Sequence, residues 1–457
     1  MDAAEIEVVR QEVDALACDL AEERFRHVSG VEPAPSIAPL FRARSRAAHK
    51  ATVAALREAG EAALADRVAA LRAERASAVA EEAWRAEEAR AEGLGPDGRL
   101  PLAAAERALL RERNRERRQA FGRAAAEAAA QASAPREAAL EQRARARAEV
   151  GLSPDWQRVV EADDLLATSD DAYRDVLAWW ARRELSLSLP PGGDFTRADL
   201  LHLLALGRHD GLFKAGMLAP VLSRAAEALG LDLGRIRIEE GDRAAQWAGA
   251  HSVGGRVSLR RRGGASDWLD LFAASGRALA WAAAPPHRLD PAFAVALGEL
   301  LGGLLLDPLF LGRAVELGAR ELPDLVRALS LSRLFALRAR AAAFRVASEV
   351  ERGTSGLAWR RAHREALSAS SLAAWPDGLA ARDGDAAERV ASLAGAAWAE
   401  RLRRSLRERF DADWWRNPRT ASHLAGLLAA GSAGPEKERP PLALAAEALV
   451  AKLSAGS

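Results

Sequence analysis

The chain has 457 residues, of which 49% are hydrophobic and 28% are charged, a composition that predicts a globular protein with a sizeable core. Its 65 basic and 64 acidic side chains nearly balance, so the net charge of +1 gives no indication of nucleic-acid binding. Basic runs at residues 111–118 and 143–147 are interleaved with or flanked by glutamate and predict solvated helix faces. The one cysteine, Cys18, excludes an internal disulfide and a cysteine-based metal site, and we expect it to fill core space on the first helix.

No segment of the sequence is typical of a membrane protein. The most apolar run, residues 295–306, is shorter than the roughly 20 residues that a membrane-spanning helix needs, and it contains Glu299. Residues 1–5 have neither the basic nor the apolar region of a signal peptide. We therefore expect a soluble, cytoplasmic protein that does not interact with membranes.

The first half of the sequence is typical of long helices. Alanine, leucine and arginine dominate the chain, which favours helix over sheet. A capping-box spacing between Asp2 and Glu5 predicts a helix at the start of the chain. Long helices rich in alanine, arginine and glutamate are predicted over residues 47–91 and 102–132, separated by a glycine-rich break at 93–98. We expect these two helices to pack closely as an antiparallel pair.

The second half contains shorter, more apolar helices and a small sheet. Residues 235–238 and 256–259 alternate in polarity as strands do. We place a soft boundary near residue 190. It divides an N-terminal helical lobe, residues 1–190, from a C-terminal lobe, residues 191–457, that carries the sheet.

One segment, residues 267–281, resembles a known metal-binding helix. Its sequence, DWLDLFAASGRALAW, is similar to the zinc helix of the thimet oligopeptidase and oligoendopeptidase F family, in which an acidic and aromatic lead precedes LFHExGHA. The residues that match this motif are Leu271, Phe272, Gly276 and Ala278. Segments that resemble other parts of the family occur in the right order along the chain, at residues 22–30, 292–311 and 407–418.

The resemblance implies a mainly α fold with two helical lobes, a deep central channel and a small β-sheet beside the helix that binds zinc in the family. That helix supplies two histidines one turn apart and a glutamate general base, and a later helix supplies a glutamate as the third ligand. Ala273, Ala274 and Arg277 occupy the positions of the first histidine, the base and the second histidine. Alanine offers no lone pair and arginine is permanently cationic, so we expect a degenerate HExxH motif, no bound metal and no other cofactor.

The resemblance leaves the position of the third ligand open by one helical turn. Counting back from Asp307 gives Val295, whereas the only acidic residue on that helix is Glu299. In the family, a tyrosine and a histidine from a C-terminal segment stabilise the oxyanion. The corresponding residues here, 392–396, include neither, and the only tyrosine of the chain, Tyr173, is far away in sequence.

A guanidinium at position 277 would point inward and would need a partner, because an unpaired buried charge is destabilising. We predict that Arg277 forms an ion pair with Glu299, which would replace the zinc ion as the link between the two helices. Asp270, on the same face of the first helix, is the alternative partner. Extension of Arg277 into the channel is the remaining possibility.

Other candidate sites have weaker support. His202 and His209 are seven residues apart with Asp210 adjacent, but no histidine pair has the one-turn spacing of a zinc helix, and structural roles are favoured. Ser275 lacks the strand and turn that flank a nucleophilic serine.

The sequence therefore predicts a catalytically inactive metallopeptidase homologue, a pseudopeptidase, that binds a peptide or a partner protein. The resemblance implies that an extended peptide would add to the strand formed by Arg256, Val257, Ser258 and Leu259. An active peptidase with an atypical site and a helical scaffold protein are the alternatives, which zinc content and overall shape would separate. The sequence indicates no oligomeric state.

Overall fold

The computed structural model describes residues 1–152, 155–189, 195–434 and 438–455, and it is mainly α-helical as predicted. The N-terminal elements, in chain order, are α1 (Ala3–Val28), α2 (Ala38–Ala43), α3 (Lys50–Glu58), α4 (Ala62–Arg90), β1 (Glu92–Gly95), β2 (Gly98–Pro101), α5 (Leu102–Arg111), α6 (Arg115–Gln131) and α7 (Ser133–Ala148). β1 and β2 form an antiparallel hairpin.

The C-terminal elements surround a small second sheet. In chain order they are α8 (Trp156–Leu185), α9 (Arg197–Leu204), α10 (Leu218–Ala228), β3 (Arg237–Glu240), β4 (Gly249–Val253), β5 (Arg256–Arg260), α11 (Ala265–Ala283), α12 (Pro291–Gly303), α13 (Pro308–Ala314), α14 (Leu322–Val350), α15 (Gly356–Ser371), α16 (Ala386–Phe410), α17 (Pro418–Ala430) and α18 (Ala443–Ser454). In the described part of the chain, no single helix is long and apolar enough to cross a membrane; α12 with its following turn and α13 together match such a span in length and composition, but they are bent by 73°.

The capping box predicted at the first helix is confirmed. Asp2 accepts a hydrogen bond from the backbone N–H of Glu5 at 2.8 Å, and Glu5 accepts one from the backbone N–H of Asp2 at 3.1 Å. These bonds satisfy backbone donors that a helix start otherwise leaves free.

Both long helices predicted in the first half are interrupted. The one predicted over residues 47–91 is broken at Gly60, whose φ of +79° is left-handed and separates α3 from α4. The one predicted over residues 102–132 ends at Arg111, and Asn114 starts α6 by accepting a hydrogen bond from the Arg117 N–H at 3.0 Å. Single glycine and asparagine residues therefore set the helix ends.

Hydrophobic cores divide the chain earlier than the predicted boundary near residue 190. Val150 packs with α1, α3 and α4, whereas Ala162 is already part of the large C-terminal core. Leu165 and Leu177 of α8 are fully buried in that core. α8 therefore packs with the C-terminal elements, although the predicted division assigned it to the N-terminal lobe.

Two predictions about burial are wrong. Cys18 is exposed on α1, because the buried stripe of this helix runs through residues such as Leu16 and Leu20. Arg118, in a basic run that we expected to be solvated, is only 2% exposed. It donates to the buried carboxylate of Asp199 at 2.7 Å and so joins α6 to α9.

The second sheet has the order β3–β5–β4. β5 pairs parallel with β3 and antiparallel with β4, so both of its edges carry a strand. The strands predicted near 235–238 and 256–259 are confirmed as β3 and β5, while β4 was not predicted. The turn between β4 and β5 lies against Ala21 of α1 and Trp281 of α11, which places the hairpin between the two helices.

α11 and α12 approach each other closely because each contributes a glycine to their contact. A Cβ atom on Gly276 would lie 2.6 Å from the carbonyl oxygen of Leu297 and 2.8 Å from the Cα of Gly298. One on Gly298 would lie 2.6 Å from the carbonyl oxygen of Ala273. These backbone distances leave no room for a side chain and fix the spacing of the two helices.

Substitution of Gly276 by alanine should therefore destabilise the protein by about 2 kcal/mol, since the added methyl group must push rigid backbone apart. Gly303→Ala, at the end of α12, is the matched control because its methyl group would meet no atom within 4 Å. We expect that control to be neutral or slightly stabilising. Urea unfolding of the two variants measures the difference, and equal midpoints would contradict the close-packing account.

Two partly buried carboxylates connect the N-terminal and C-terminal elements. Glu106 of α5 accepts hydrogen bonds from Arg197 of α9 at 2.9 Å and from Arg382. Asp385, which caps α16, accepts one from Arg143 of α7 at 2.7 Å. Although burial raises the pKa of Glu106, the charges of Arg382 and Arg197 outweigh it and lower this pKa to about 2.

Because the folded pKa of Glu106 lies below its ordinary value of 4.5, this carboxylate stabilises the fold above pH 4.5 and loses its contribution as the pH falls toward 2. Glu106→Gln should thus lower stability at pH 7, by an amount on the order of 2 kcal/mol, and much less at pH 3. Thermal unfolding of both proteins at several pH values checks this. Glu447→Gln, on the exposed face of α18, is the control. If the difference in unfolding temperature between wild type and Glu106→Gln stays the same as the pH falls, the lowered pKa of Glu106 is refuted.

Candidate functional site

α11 carries the residues that the sequence comparison singled out. Its start is fixed by Asp267, which accepts hydrogen bonds from the backbone N–H groups of Arg262 and Gly263, both at 2.8 Å. Ala273 and Ala274 are buried one turn before Arg277, whose side chain retains 34% exposure. The helix therefore presents two methyl groups and one guanidinium at these positions.

Three arginines surround the carboxylate of Glu299 on α12. Arg333 donates a hydrogen bond to its Oε2, and Arg340 donates one to its Oε1 at 3.2 Å. Arg277 approaches the same Oε1 at 3.8 Å, an ion pair too long to be a hydrogen bond. Arg277 and Glu299, the predicted ion pair, are therefore neighbours, but no hydrogen bond joins them and their contact is the longest of the three. We call these four residues the Glu299 cluster.

The positions of Arg333 and Arg340 follow from helix geometry. Both lie on α14, and their spacing of seven residues places them two turns apart on one face. Their side chains are 18% and 23% exposed, and that of Glu299 is 10% exposed. Sequence reasoning did not single out these two arginines, because α14 carries three others and nothing in its sequence marks this pair.

The Glu299 cluster has more positive than negative charge. Burial lowers the pKa of Arg277 and that of Arg340 to about 10, and burial together with the charges of Arg340 and Arg277 lowers the pKa of Arg333 to about 9. All three guanidiniums are still protonated at neutral pH, one carboxylate is in contact with them, and Asp270 acts on Arg277 and Arg333 from farther away. An additional anion would be favourable beside this cluster.

A cavity of about 310 Å³ lies beside Arg277, and we call it the Arg277 cavity. It is enclosed by α1, α4, the end of β4, α11 and the start of α12, so it lies between the N-terminal helices and the small sheet. The apolar wall of the cavity consists of Leu20, Leu71, Trp281, Leu289 and Ala294. The charged residues that line it are Arg24, Arg67, Glu74 and Arg277.

The strand predicted to receive a peptide is not available for that role. Arg256, Val257, Ser258 and Leu259 belong to β5, whose two edges are already paired with β3 and β4. Their side chains are engaged as well: Arg256 binds Glu22 at 2.6 Å, and the other three are buried. β3 and β4 are the two edge strands, and Ser252 and Val253 near the end of β4 line the Arg277 cavity.

The two residues of α12 that the resemblance left open as the third-ligand position, Val295 and Glu299, lie in different surroundings. Glu299 faces Arg277, whereas Val295 packs against Gly395 of α16, where a Cβ atom would lie 2.5 Å from that of Val295. Residues 392–396, which the resemblance assigns to oxyanion stabilisation, are thus part of the contact between α12 and α16. Tyr173 is elsewhere, buried in α8, and its hydroxyl donates to the carbonyl of Ser371 at 3.2 Å.

The other candidate residues from the sequence, Asp270, His202 and His209, have partners outside the Glu299 cluster. Asp270 forms its ion pair with Arg262, and its charge also raises the pKa of Arg277. A ring nitrogen of His202 lies 2.9 Å from the carbonyl oxygen of Leu110, and His209 accepts a hydrogen bond from the neighbouring arginine at 2.9 Å. In the described residues, no group of three or more histidine, cysteine, aspartate or glutamate side chains is arranged to hold a metal ion.

Comparison with known proteins identifies the architecture. No protein-family model and no curated protein sequence matches the chain. PZ peptidase A, solved with an inhibitor, superposes with a TM-score of 0.56 over 95% of this chain and 87% of that chain, at 11% identity. The chain has the helical fold of the oligoendopeptidase-type peptidases.

Two further structures with this peptidase fold agree. A protein described as oligoendopeptidase F from Bacillus anthracis str. Ames gives a TM-score of 0.51 at 11% identity, over 86% of this chain and 77% of that chain. A protein described as a peptidase from Chlamydophila abortus gives a TM-score of 0.52 at 12% identity, over 85% of this chain and 73% of that chain. Identities this low support the fold alone, so chemistry must be argued from the residues of this chain.

The peptidase fold implies a zinc ion beside α11, and the residues present do not fit one. Ala273 and Ala274 have no donor atoms, and Arg277 places a positive charge at the position that the resemblance assigns to a histidine ligand. Glu299, the carboxylate nearest to that position on α12, already accepts hydrogen bonds from two arginines. A divalent cation would have to displace these bonds and would be repelled by three guanidiniums.

Neutralising Glu299 should be far more damaging than removing Arg277. Glu299→Gln leaves three largely buried cations without their counter-charge, which should cost about 3 kcal/mol. Arg277→Met removes the longest ion pair together with a repelled charge, so we expect a change within about 1 kcal/mol. Urea unfolding measures both, with Glu447→Gln as the surface control. Equal losses for Glu299→Gln and Arg277→Met would mean that the Arg277 pair alone links the helices.

Proposed function

We propose that this protein is a catalytically inactive relative of the oligoendopeptidase-type metallopeptidases and that it binds peptides without cleaving them. The observation that carries the proposal is the Glu299 cluster. Three arginines surround the carboxylate of Glu299, at a place where peptide hydrolysis would require a metal ion and a general base.

The loss of activity follows from the chemistry of the side chains. Hydrolysis of a peptide bond by this class of enzyme needs a metal-activated water, a base to take its proton and donors for the oxyanion. Ala273 and Ala274 supply neither a ligand nor a base. The hydroxyl of the buried Tyr173, which could have stabilised an oxyanion, is hydrogen-bonded to the carbonyl of Ser371, away from α11. The metal ligands, the general base and the oxyanion donors are all without a suitable side chain, so substitution of one residue would not restore catalysis.

The Arg277 cavity supports the binding part of the proposal. It adjoins the edge strand β4, to which an extended chain can add through backbone hydrogen bonds. Its apolar wall offers contacts for side chains of such a segment. A peptide would therefore meet β4, rather than the β5 residues that the sequence suggested.

Zinc content and peptide cleavage test the loss of activity together. Purified protein, incubated with zinc chloride and dialysed, should contain far less than one zinc ion per chain when measured by mass spectrometry. It should show no chelator-sensitive cleavage of a mixed peptide library. PZ peptidase A, measured under the same conditions, is the reference for an active protein of this fold. One zinc ion per chain with chelator-sensitive cleavage would overturn the proposal in favour of an active peptidase with an atypical site.

A further inference from the structure

Arg67 of α4 is an unsatisfied cation in the Arg277 cavity. It makes neither a hydrogen bond nor an ion pair with any residue that the structure describes, and its Nε is buried without a partner. Burial lowers its pKa, which reflects the cost of keeping the charge away from water. The side chain is partly exposed and lines the cavity, so its free N–H groups are available to an anion that enters there.

Arg277 contributes a second cation to the same cavity. Its Nε is also buried without a hydrogen-bond partner, and its one carboxylate contact is the long ion pair with Glu299. Arg67 comes from α4 and Arg277 from α11, so the two guanidiniums belong to the two sides that enclose the cavity. A ligand between these sides could contact both.

The other charges of the cavity do not neutralise these two arginines. Arg24 is bound to Glu74 at 2.8 Å and lies 3.7 Å from Glu81, so its charge is matched. Glu74 is the only acidic residue that lines the cavity, and its hydrogen bond is to Arg24. Glu74 and Asp14 raise the pKa of Arg67, and Asp270 and Glu388 raise that of Arg277, but none of these carboxylates forms a hydrogen bond with the arginine on which it acts. Arg67 and Arg277 are therefore the two cations of the cavity without a hydrogen-bonded carboxylate.

We infer that the Arg277 cavity recognises the carboxylate of a short peptide, with Arg67 and Arg277 as the residues that bind it. This inference rests on the peptide-binding part of the proposed function and names the chemical group that is selected. A guanidinium binds a carboxylate through two parallel hydrogen bonds, which gives both affinity and orientation. The apolar wall and the edge of β4 favour a peptide over a small inorganic anion.

Matched peptide pools test the inference. Eight-residue, N-acetylated pools with mixed apolar residues are prepared as C-terminal acids and as C-terminal amides, together with an amidated pool that contains one glutamate. Each pool is passed over the immobilised full-length protein, and the retained peptides are quantified by mass spectrometry. We expect the protein to retain the C-terminal acids, the glutamate-containing amides, or both, and not to retain the apolar amides. Retention of the acids would show that the terminal carboxylate is bound, and retention of the glutamate-containing amides would show that a side-chain carboxylate is bound.

Variants assign the retained peptides to the cavity. Arg67→Gln and Arg277→Gln should each weaken binding of a retained peptide by roughly tenfold or more, because each removes a charged hydrogen-bond donor. Arg90→Gln, on the exposed end of α4, is the matched control and should bind as wild type does. Unfolding midpoints close to that of wild type show that the variants are folded.

The possible outcomes separate this inference from the proposed function. Equal retention of acids and amides would overturn the carboxylate inference and leave peptide binding in place. Retention that neither Arg67→Gln nor Arg277→Gln weakens would place the carboxylate site elsewhere and would also overturn it. No retention of any pool would count against peptide binding as a whole, while the zinc and cleavage measurements decide the loss of activity independently.

Discussion

A single carboxylate, that of Glu299, holds three guanidinium groups between α11, α12 and α14. Arg333 and Arg340 bind it through hydrogen bonds, and Arg277 reaches it at 3.8 Å. Asp270 acts on Arg277 and Arg333 from farther away, so Glu299 is the carboxylate that bonds the cluster and not its only source of negative charge. The cluster therefore links α11, α12 and α14 through charge.

The packing around the cluster fits this arrangement. Gly276 and Gly298 bring the backbones of α11 and α12 together, so a side chain between them must reach sideways as Arg277 does. On one side of Arg277 lies Glu299, and on the other lies a cavity whose opposite wall carries the unpaired Arg67. A site that holds a metal ion favours a carbonyl group, which the metal polarises. A site that carries an arginine instead favours an anion such as a carboxylate.

The sequence predicted the fold class because short, ordered matches define helices, caps and strands locally. It did not reveal Arg333 and Arg340, which lie on a helix without a recognised motif and meet Glu299 only through tertiary packing. It also missed β4, whose strand conformation depends on pairing with β5 rather than on its own polar pattern. Breaks at single residues such as Gly60 were missed because helix propensity around them is high.

Anomalous diffraction at the zinc absorption edge, from crystals grown with zinc chloride, tests the central claim most directly. The account predicts no anomalous peak between α11 and Glu299, and electron density that places Arg333 and Arg340 within hydrogen-bonding distance of this carboxylate. A zinc peak coordinated by Glu299, with the arginines displaced from it, would contradict the account.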